Sequence, residues 1–269
     1  MNRCDIKGIT IGKGHPVRLM GVINCSPESF YYGSYVREGS VRSRAEEMVA
    51  SGADLVDIGA RSTAPGSPPI SEQTEAGRLD RALTELDGSG IPVSVDTLHP
   101  AVLERCLRHE VHAANDISGL VSPRYARMVA DAGLPAFLMA SHRGPGDNTT
   151  RTGTGSALQL VVTRCAEAGI SRYVLDPGIG LWTPKRTTAL DWELCHYFEE
   201  FARFGRPLLA AVSRKTFLGE PGNRPPEGRL AASLGLTALL IAKGADVVRT
   251  HDVRETADVI RTVARVVDR

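Results

Sequence analysis

Cysteine, long apolar runs and net charge are all scarce in this chain of 269 residues, and each scarcity removes a class of protein. The five cysteines, Cys4, Cys25, Cys106, Cys165 and Cys195, form no Cys-x-x-Cys pair and show no zinc spacing. A disulfide scaffold and a zinc centre are therefore not expected, and the odd count suits reduced thiols in a cytoplasm. No apolar run approaches the roughly 18 residues of a membrane span. Met1 to Asp5 lack the apolar stretch of a secretory signal, so no membrane association is expected. With a net charge of +1, bulk electrostatics offer nothing to nucleic acid. No Gly-x-Gly-x-x-Gly follows the first strand, and no nucleophile elbow supports Ser-His-Asp chemistry. What remains is an ordinary globule, 42% hydrophobic and 23% charged. Its length suits one α/β barrel, which takes about 250 residues.

Two stretches organise the rest, Val174-Leu175-Asp176-Pro177-Gly178 and Val212-Ser213-Arg214-Lys215-Thr216. Each is a short apolar run that stops at charged or small residues, as a strand buried on both faces does. Parallel sheets place their chemistry just beyond the carboxyl ends of such strands. The same pattern predicts strands at 18–24, 54–59, 92–97, 113–117, 135–140, 173–178, 207–212 and 247–252. Helices fit near 40–50, from Ser71, from Pro100, and near 123–132, 154–168, 189–203, 227–243 and 254–267, with Ser40 as the first N-cap. Residues 4–17 read as a short hairpin, its turn supplied by Gly12 to Gly14. Strands and helices alternating in this way, with no linker or composition break, predict a single (β/α)8 TIM barrel over 1–269.

In such a barrel one mouth collects the strand ends: Asn24, Arg61 to Thr63, Asp96, Asn115 with Asp116, Met139 with Ser141 and His142, Asp176, Lys215, and Arg249 with His251. A single Asp at a strand end is as readily the cap of the next helix. Capping, however, does not call for Lys215, Arg249 and His251 to face the acids. Asp96, Asn115, Asp176 and Lys215 offer the acceptors and donors that a flat heterocycle rich in N–H and C=O edges requires. Asn24, Thr63, Arg249 and His251 suit an anion with a metal, since an amide oxygen can serve Mg²⁺ and Arg strengthens phosphate contacts by charge.

Met20-Gly21-Val22-Ile23-Asn24-Cys25-Ser26-Pro27-Glu28-Ser29-Phe30 resembles the first signature of the dihydropteroate synthase family. Asp57-Ile58-Gly59-Ala60-Arg61-Ser62-Thr63-Ala64-Pro65-Gly66 resembles the second. Ser94-Val95-Asp96-Thr97, Asn115-Asp116-Ile117, Leu175-Asp176-Pro177-Gly178, Ser213-Arg214-Lys215-Thr216 and Arg249-Thr250-His251-Asp252-Val253 are similar to its later blocks. The resemblance implies a transferase that joins a dihydropterin diphosphate to an aryl amine and releases pyrophosphate. It gives Asp96, Asn115, Asp176 and Lys215 to the pterin, with Thr63 and Met139 also on substrate. Asn24 falls to Mg²⁺, and Arg249 with His251 to the diphosphate. It further implies a homodimer, for which the Ala/Leu-rich helix from Arg229 to Lys243 is a candidate face.

Three departures fall around the amine. Ala64 stands where folate-making members usually carry arginine, Tyr31-Tyr32-Gly33 where they have Ser-Asp-Gly, and Leu181 where they place an aromatic. The first-loop form looks like that of archaeal relatives, which use a ribosylated aminobenzene. An extended amine is accordingly expected to be turned over better than p-aminobenzoate. A pterin-dependent methyltransferase module and a pterin-binding protein without catalysis are the other readings.

Overall fold

The structure is a computed structural model that describes residues 3–28, 35–62, 67–220 and 222–267. A two-stranded antiparallel hairpin, β1 (Arg3–Ile6) and β2 (Ile9–Gly12), precedes the barrel. The barrel strands are β3 (Arg18–Asn24), β4 (Leu55–Gly59), β5 (Val93–Asp96), β6 (Ala113–Asp116), β7 (Ala136–Met139), β8 (Tyr173–Asp176), β9 (Leu209–Ala210) and β10 (Val247–Thr250). All pair in parallel, in the order β8-β7-β6-β5-β4-β3-β10-β9. A further bridge from Leu175 to Leu208 joins the two edges and closes the ring. The helices are α1 (Val41–Ala50), α2 (Glu72–Leu86), α3 (Pro100–Cys106), α4 (Pro123–Asp131), α5 (Arg151–Ala168), α6 (Thr188–His196), α7 (Leu230–Ala242) and α8 (Val253–Val263). This is the expected (β/α)8 architecture.

The hairpin decides which end of the barrel is open. Cys4, Ile6 and Ile11 pack against Met20, Leu55, Ala113, Phe137, Val174, Leu209 and Val247, one side chain from each of seven barrel strands. Burying Ile6 or Ile11 contributes about 1.5–3 kcal/mol each. The amino ends of the strands are thereby plugged, which leaves the carboxyl ends open.

Several boundaries differ from expectation for local reasons. The hairpin turns at Lys7-Gly8, not at Gly12 to Gly14, because both residues have positive φ (50° and 81°), as a two-residue hairpin turn of this hand requires. Ser40 occupies the N-cap of α1 but its side chain makes no capping bond. Glu85 of α2 caps instead, accepting Gly39 N at 2.7 Å and Val41 N at 2.8 Å. The helix expected over 189–203 divides into α6 and a 3₁₀ helix over Phe198–Phe204. The strand expected over 207–212 is shortened to Leu209–Ala210, preceded by the single bridge at Leu208 and by Pro207, which has no N–H to give to the ladder.

Candidate active site

The carboxyl ends of the strands surround a cavity of about 410 Å³. Asn24, Asp96, Asn115, Asp176, Lys215, Arg249 and His251, expected from different strands to share one mouth, all line it. Thr63 lies outside the described residues, as do Ala64, Tyr31 and Tyr32. Met139 does not line the cavity. Its side chain packs beneath the loop after β8, so close that a Cβ at Gly178 would lie 2.9 Å from Met139 Cγ. Ser141 and His142 turn to backbone carbonyls, of Ile117 at 2.8 Å and Gly153 at 3.2 Å.

Helix capping does not account for the two acids. Asp96 Oδ2 accepts Arg249 Nη2 at 2.8 Å, while the N-cap of the following helix is His99. Asp176 Oδ1 accepts Gly178 N at 2.7 Å, and α6 begins only after its own cap, Thr187. Asp116, by contrast, is a loop holder, bonded to the backbone of Ser118 and Leu120.

A fourth acid escaped the sequence reading. Asp57 sits inside the apolar run of β4, fully buried, and its Oδ2 accepts Arg249 Nε at 2.7 Å and Asn115 Nδ2 at 2.9 Å. A carboxylate within Val56-Asp57-Ile58 was the available signal, because a buried charge needs a partner. Arg249 thus bridges Asp57 and Asp96, and Asn115 is oriented by Asp57. Lys215 donates to the carbonyl of Ile179 and stands 5.0 Å from the centre of the Trp182 ring. Arg214, its neighbour, is turned inward to Asp252, with Nη2 at 2.6 Å from Oδ1. Ser213 Oγ lies 3.1 Å from His251 Nδ1 and sets the ring's position.

The loops above this floor are held by a second buried network. Arg186 and Asp191, both fully buried, pair at 3.3 Å, and Asp191 Oδ1 also accepts Gly180 N at 2.7 Å. Arg186 reaches Gly178 O at 2.9 Å and Asn148 O at 3.1 Å, joining the loops after β7 and β8. Trp182 Nε1 donates to Gly178 O at 2.9 Å. A Cβ at Gly146 would meet Trp182 Cβ at 2.0 Å, so glycine there lets the indole close against the wall. The aromatic side expected to be missing at Leu181 is supplied by the next residue.

Burial tunes these groups. It lifts the Asp96 carboxyl to about 7, with Arg249 opposing and the charges of Asp57 and Glu75 assisting. Burial likewise raises Asp176, against the pull of Lys215. It lowers Lys215 to about 8, against Asp176 and Asp191. Burial, with Arg249, Arg214 and Lys215 nearby, brings His251 down to about 3, so the imidazole is neutral near pH 7. A heterocycle that donates its N–H groups to ionised Asp96 and accepts at its carbonyl from cationic Lys215 would have a bell-shaped pH dependence of binding. Affinity is expected to fall below about 7 as Asp96 protonates and above about 8 as Lys215 deprotonates. Calorimetric titration across pH checks this, and Lys215→Met is expected to remove the alkaline limb alone.

The model of the family described as pterin binding enzyme matches residues 20–251. The dihydropteroate synthase of Bacillus subtilis (strain 168) is 34% identical over 247 residues, covering 89% of this chain and 85% of the relative. The chain belongs to the dihydropteroate synthase family. Solved structures of the family superpose over nearly the whole chain. The dihydropteroate synthase of Coxiella burnetii in complex with pteroic acid has a TM-score of 0.87 and 30% identity, over 99% of this chain and 98% of that one. The Xanthomonas albilineans dihydropteroate synthase with 4-aminobenzoic acid has a TM-score of 0.85 and 30% identity, over 98% of each chain. The chain is accordingly a dihydropteroate synthase-like transferase.

Proposed function

We propose that this chain joins a (7,8-dihydropterin-6-yl)methyl diphosphate to p-aminobenzoate and releases pyrophosphate. The observation that carries the reading is the convergence of Asp96, Asn115, Asp176 and Lys215 on one cavity whose rim bears Asn24, Arg249 and His251. The two carboxylates accept ring N–H groups, Asn115 reads a further edge, and Lys215 donates to the ring carbonyl. The C–O bond to the diphosphate breaks with its electron pair leaving on oxygen. The amine lone pair then forms the C–N bond, and the proton lost from nitrogen passes to water. Positive charge grows on the pterin methyl carbon beside ionised Asp96 and Asp176, and fixed charges so placed favour that state.

Among the described residues no group of three His, Cys, Asp or Glu forms a metal cluster. Asn24 lines the cavity with a neutral carboxamide oxygen, held in place by the N–H of Ser26 at 2.9 Å, and such a ligand would fit a Mg²⁺ that keeps most of its waters. When bound, that ion would neutralise charge developing on the departing diphosphate. Arg249 Nη1, which makes no hydrogen bond among the described residues, and the His251 ring complete the assignment to the diphosphate.

The choice of p-aminobenzoate over an extended amine rests on Trp182, which lines the cavity and closes the wall that Leu181 alone would leave loose. The test is pyrophosphate release from the dihydropterin diphosphate with a panel of aryl amines. Efficient turnover with p-aminobenzoate supports the reading, turnover confined to a ribosylated aminobenzene replaces the amine, and pterin binding without turnover removes the enzyme.

A homodimer through α7 belongs to the same proposal. Its sequence from Leu230 to Ala242 has no charged residue, and Ala231, Gly235, Leu239 and Ala242 are exposed along one face, Leu239 to 60%. Leu239→Arg is expected to convert a dimer to a monomer in light scattering while leaving the thermal melt cooperative. An unchanged mass would place the interface elsewhere. Five free cysteines fit the proposed cytoplasmic location, and among the described residues no helix is long and apolar enough to cross a membrane.

A further inference from the structure

We propose that Arg61 is an anion-binding residue of the cavity, aimed by the buried carboxylate of Glu75 so that its terminal nitrogens receive the diphosphate of the pterin substrate. The proposal rests on the functional reading above for the name of that anion, though not for the presence of an anion site.

Placement comes first. Gly59 ends β4 and pairs with Asn24 on one side and Asp96 on the other, and Arg61 lies two residues beyond it, lining the cavity. It stands on the same side of the mouth as Asn24, whereas Asp176 ends β8 and Lys215 follows β9 across the ring. The way it is held comes second. Glu75, in the first turn of α2 and 1% exposed, accepts Arg61 Nε through Oε2 at 2.6 Å and Thr97 Oγ1 through Oε1 at 2.6 Å. Both carboxylate oxygens are fixed, so the guanidinium plane is fixed through one edge.

That single-point grip differs from the arginine pairs that only tie the structure together. Arg78 closes both terminal nitrogens on Glu28 at 2.9 and 2.8 Å, and Arg214 spends Nε and Nη2 on Asp252 at 2.9 and 2.6 Å. Arg61 leaves Nη1 and Nη2 with no hydrogen bond among the described residues. The pair of N–H groups there forms the fork that matches phosphate oxygens.

Charge balance supplies the third argument. Arg249 already compensates Asp57 and Asp96, and Lys215 lies against Asp176. His251 carries no charge near pH 7. A diphosphate entering this mouth brings several negative charges, and a partly desolvated anion needs paired cations. Arg61 is a rim cation whose own carboxylate, Glu75, engages only one of its nitrogens.

Calorimetry with inorganic pyrophosphate plus Mg²⁺, with the dihydropterin diphosphate, and with the hydroxymethyl dihydropterin that lacks the diphosphate tests the assignment. Arg61→Ala is expected to weaken the first two by about 10-fold or more and the third by less than about twofold, the scale of a lost charged hydrogen bond. Because Arg61→Ala strands a buried Glu75, the double variant Arg61→Ala/Glu75→Gln is measured beside it, with the same selective loss expected. Unchanged pyrophosphate affinity in both variants overturns the proposal. So does an equal loss for both pterins, which makes Arg61 a support of the fold, or a change confined to the KM of the amine. If the wild-type chain binds neither pterin, the functional reading fails, while the pyrophosphate titration still decides the role of Arg61.

Discussion

Replacing Arg249 by methionine is expected to cost about 3–5 kcal/mol of stability, the penalty for removing one partner of a buried ion pair. The residue lies between Asp57, which is fully buried, and Asp96, and it donates to both. Methionine fills much of the space but strands two carboxylates a few ångströms apart in a low-dielectric floor. Asp57 Oδ1 lacks a partner among the described residues, so without Arg249 the buried carboxylate keeps the neutral amide of Asn115 on Oδ2 and no cation. For a chain of this size the loss corresponds to a melting point lower by about 6–20 °C. The sign of the pH dependence is distinctive: burial already lifts the Asp96 carboxyl to about 7, and acid protonates it, so the gap between variant and wild type narrows as pH falls. Adding Asp57→Asn, which keeps an oxygen for Asn115 Nδ2, is expected to restore most of the lost stability. A variant that melts within about 2 °C of wild type at pH 7 would show that Arg249 is free to leave these acids, contrary to the geometry.

The same residue shows what the sequence could and could not disclose. Strands β3 to β10 were legible because burial on both faces demands uninterrupted apolar runs, and the polar tip of each run marks the barrel mouth. Asn24, Asp96, Asn115, Asp176, Lys215, Arg249 and His251 were found in that way. Asp57 was hidden, since it lies inside a run, and its cation is 192 residues away. Arg186 and Asp191 were hidden for a related reason: they sit in a loop and a helix start, where charged residues normally face solvent, yet both are fully buried. Local rules also lost to tertiary ones at Ser40, where the capping acceptor comes from Glu85 across a helix pair. The hairpin turn went to Lys7-Gly8, not to the richer glycine cluster, because only a specific pair of positive φ values joins these strands with Ile6 opposite Ile9. The family resemblance puts an aromatic at 181, where this chain has leucine and a looser wall was expected, whereas close packing against Gly146 brings in Trp182.

Asp176→Asn is expected to weaken dihydropterin binding by roughly 10- to 100-fold, the value of about 1.5–3 kcal/mol for a hydrogen bond to a charged group. The substitution preserves shape, so the reason is one of donors and acceptors. Asp176 is 8% exposed, and its Oδ1 is already committed to Gly178 N at 2.7 Å. An asparagine keeps that bond only by placing its carbonyl oxygen there, which turns the NH₂ group to the position of Oδ2. A ring N–H of the ligand then meets a donor where it had met a carboxylate oxygen, and both hydrogens lose their acceptors. The negative charge beside Lys215 disappears as well, which lowers the lysine further and weakens its donation to the ring carbonyl. The alkaline limb of the binding profile should therefore move to lower pH in the variant. Calorimetry with the hydroxymethyl dihydropterin isolates the effect, because that ligand has no diphosphate to contribute affinity elsewhere. A melt close to that of wild type, with binding reduced by the stated factor, supports a direct contact. Affinity that stays at the wild-type level would mean that Asp176 serves only the turn at Gly178 and that the ring lies elsewhere in the cavity.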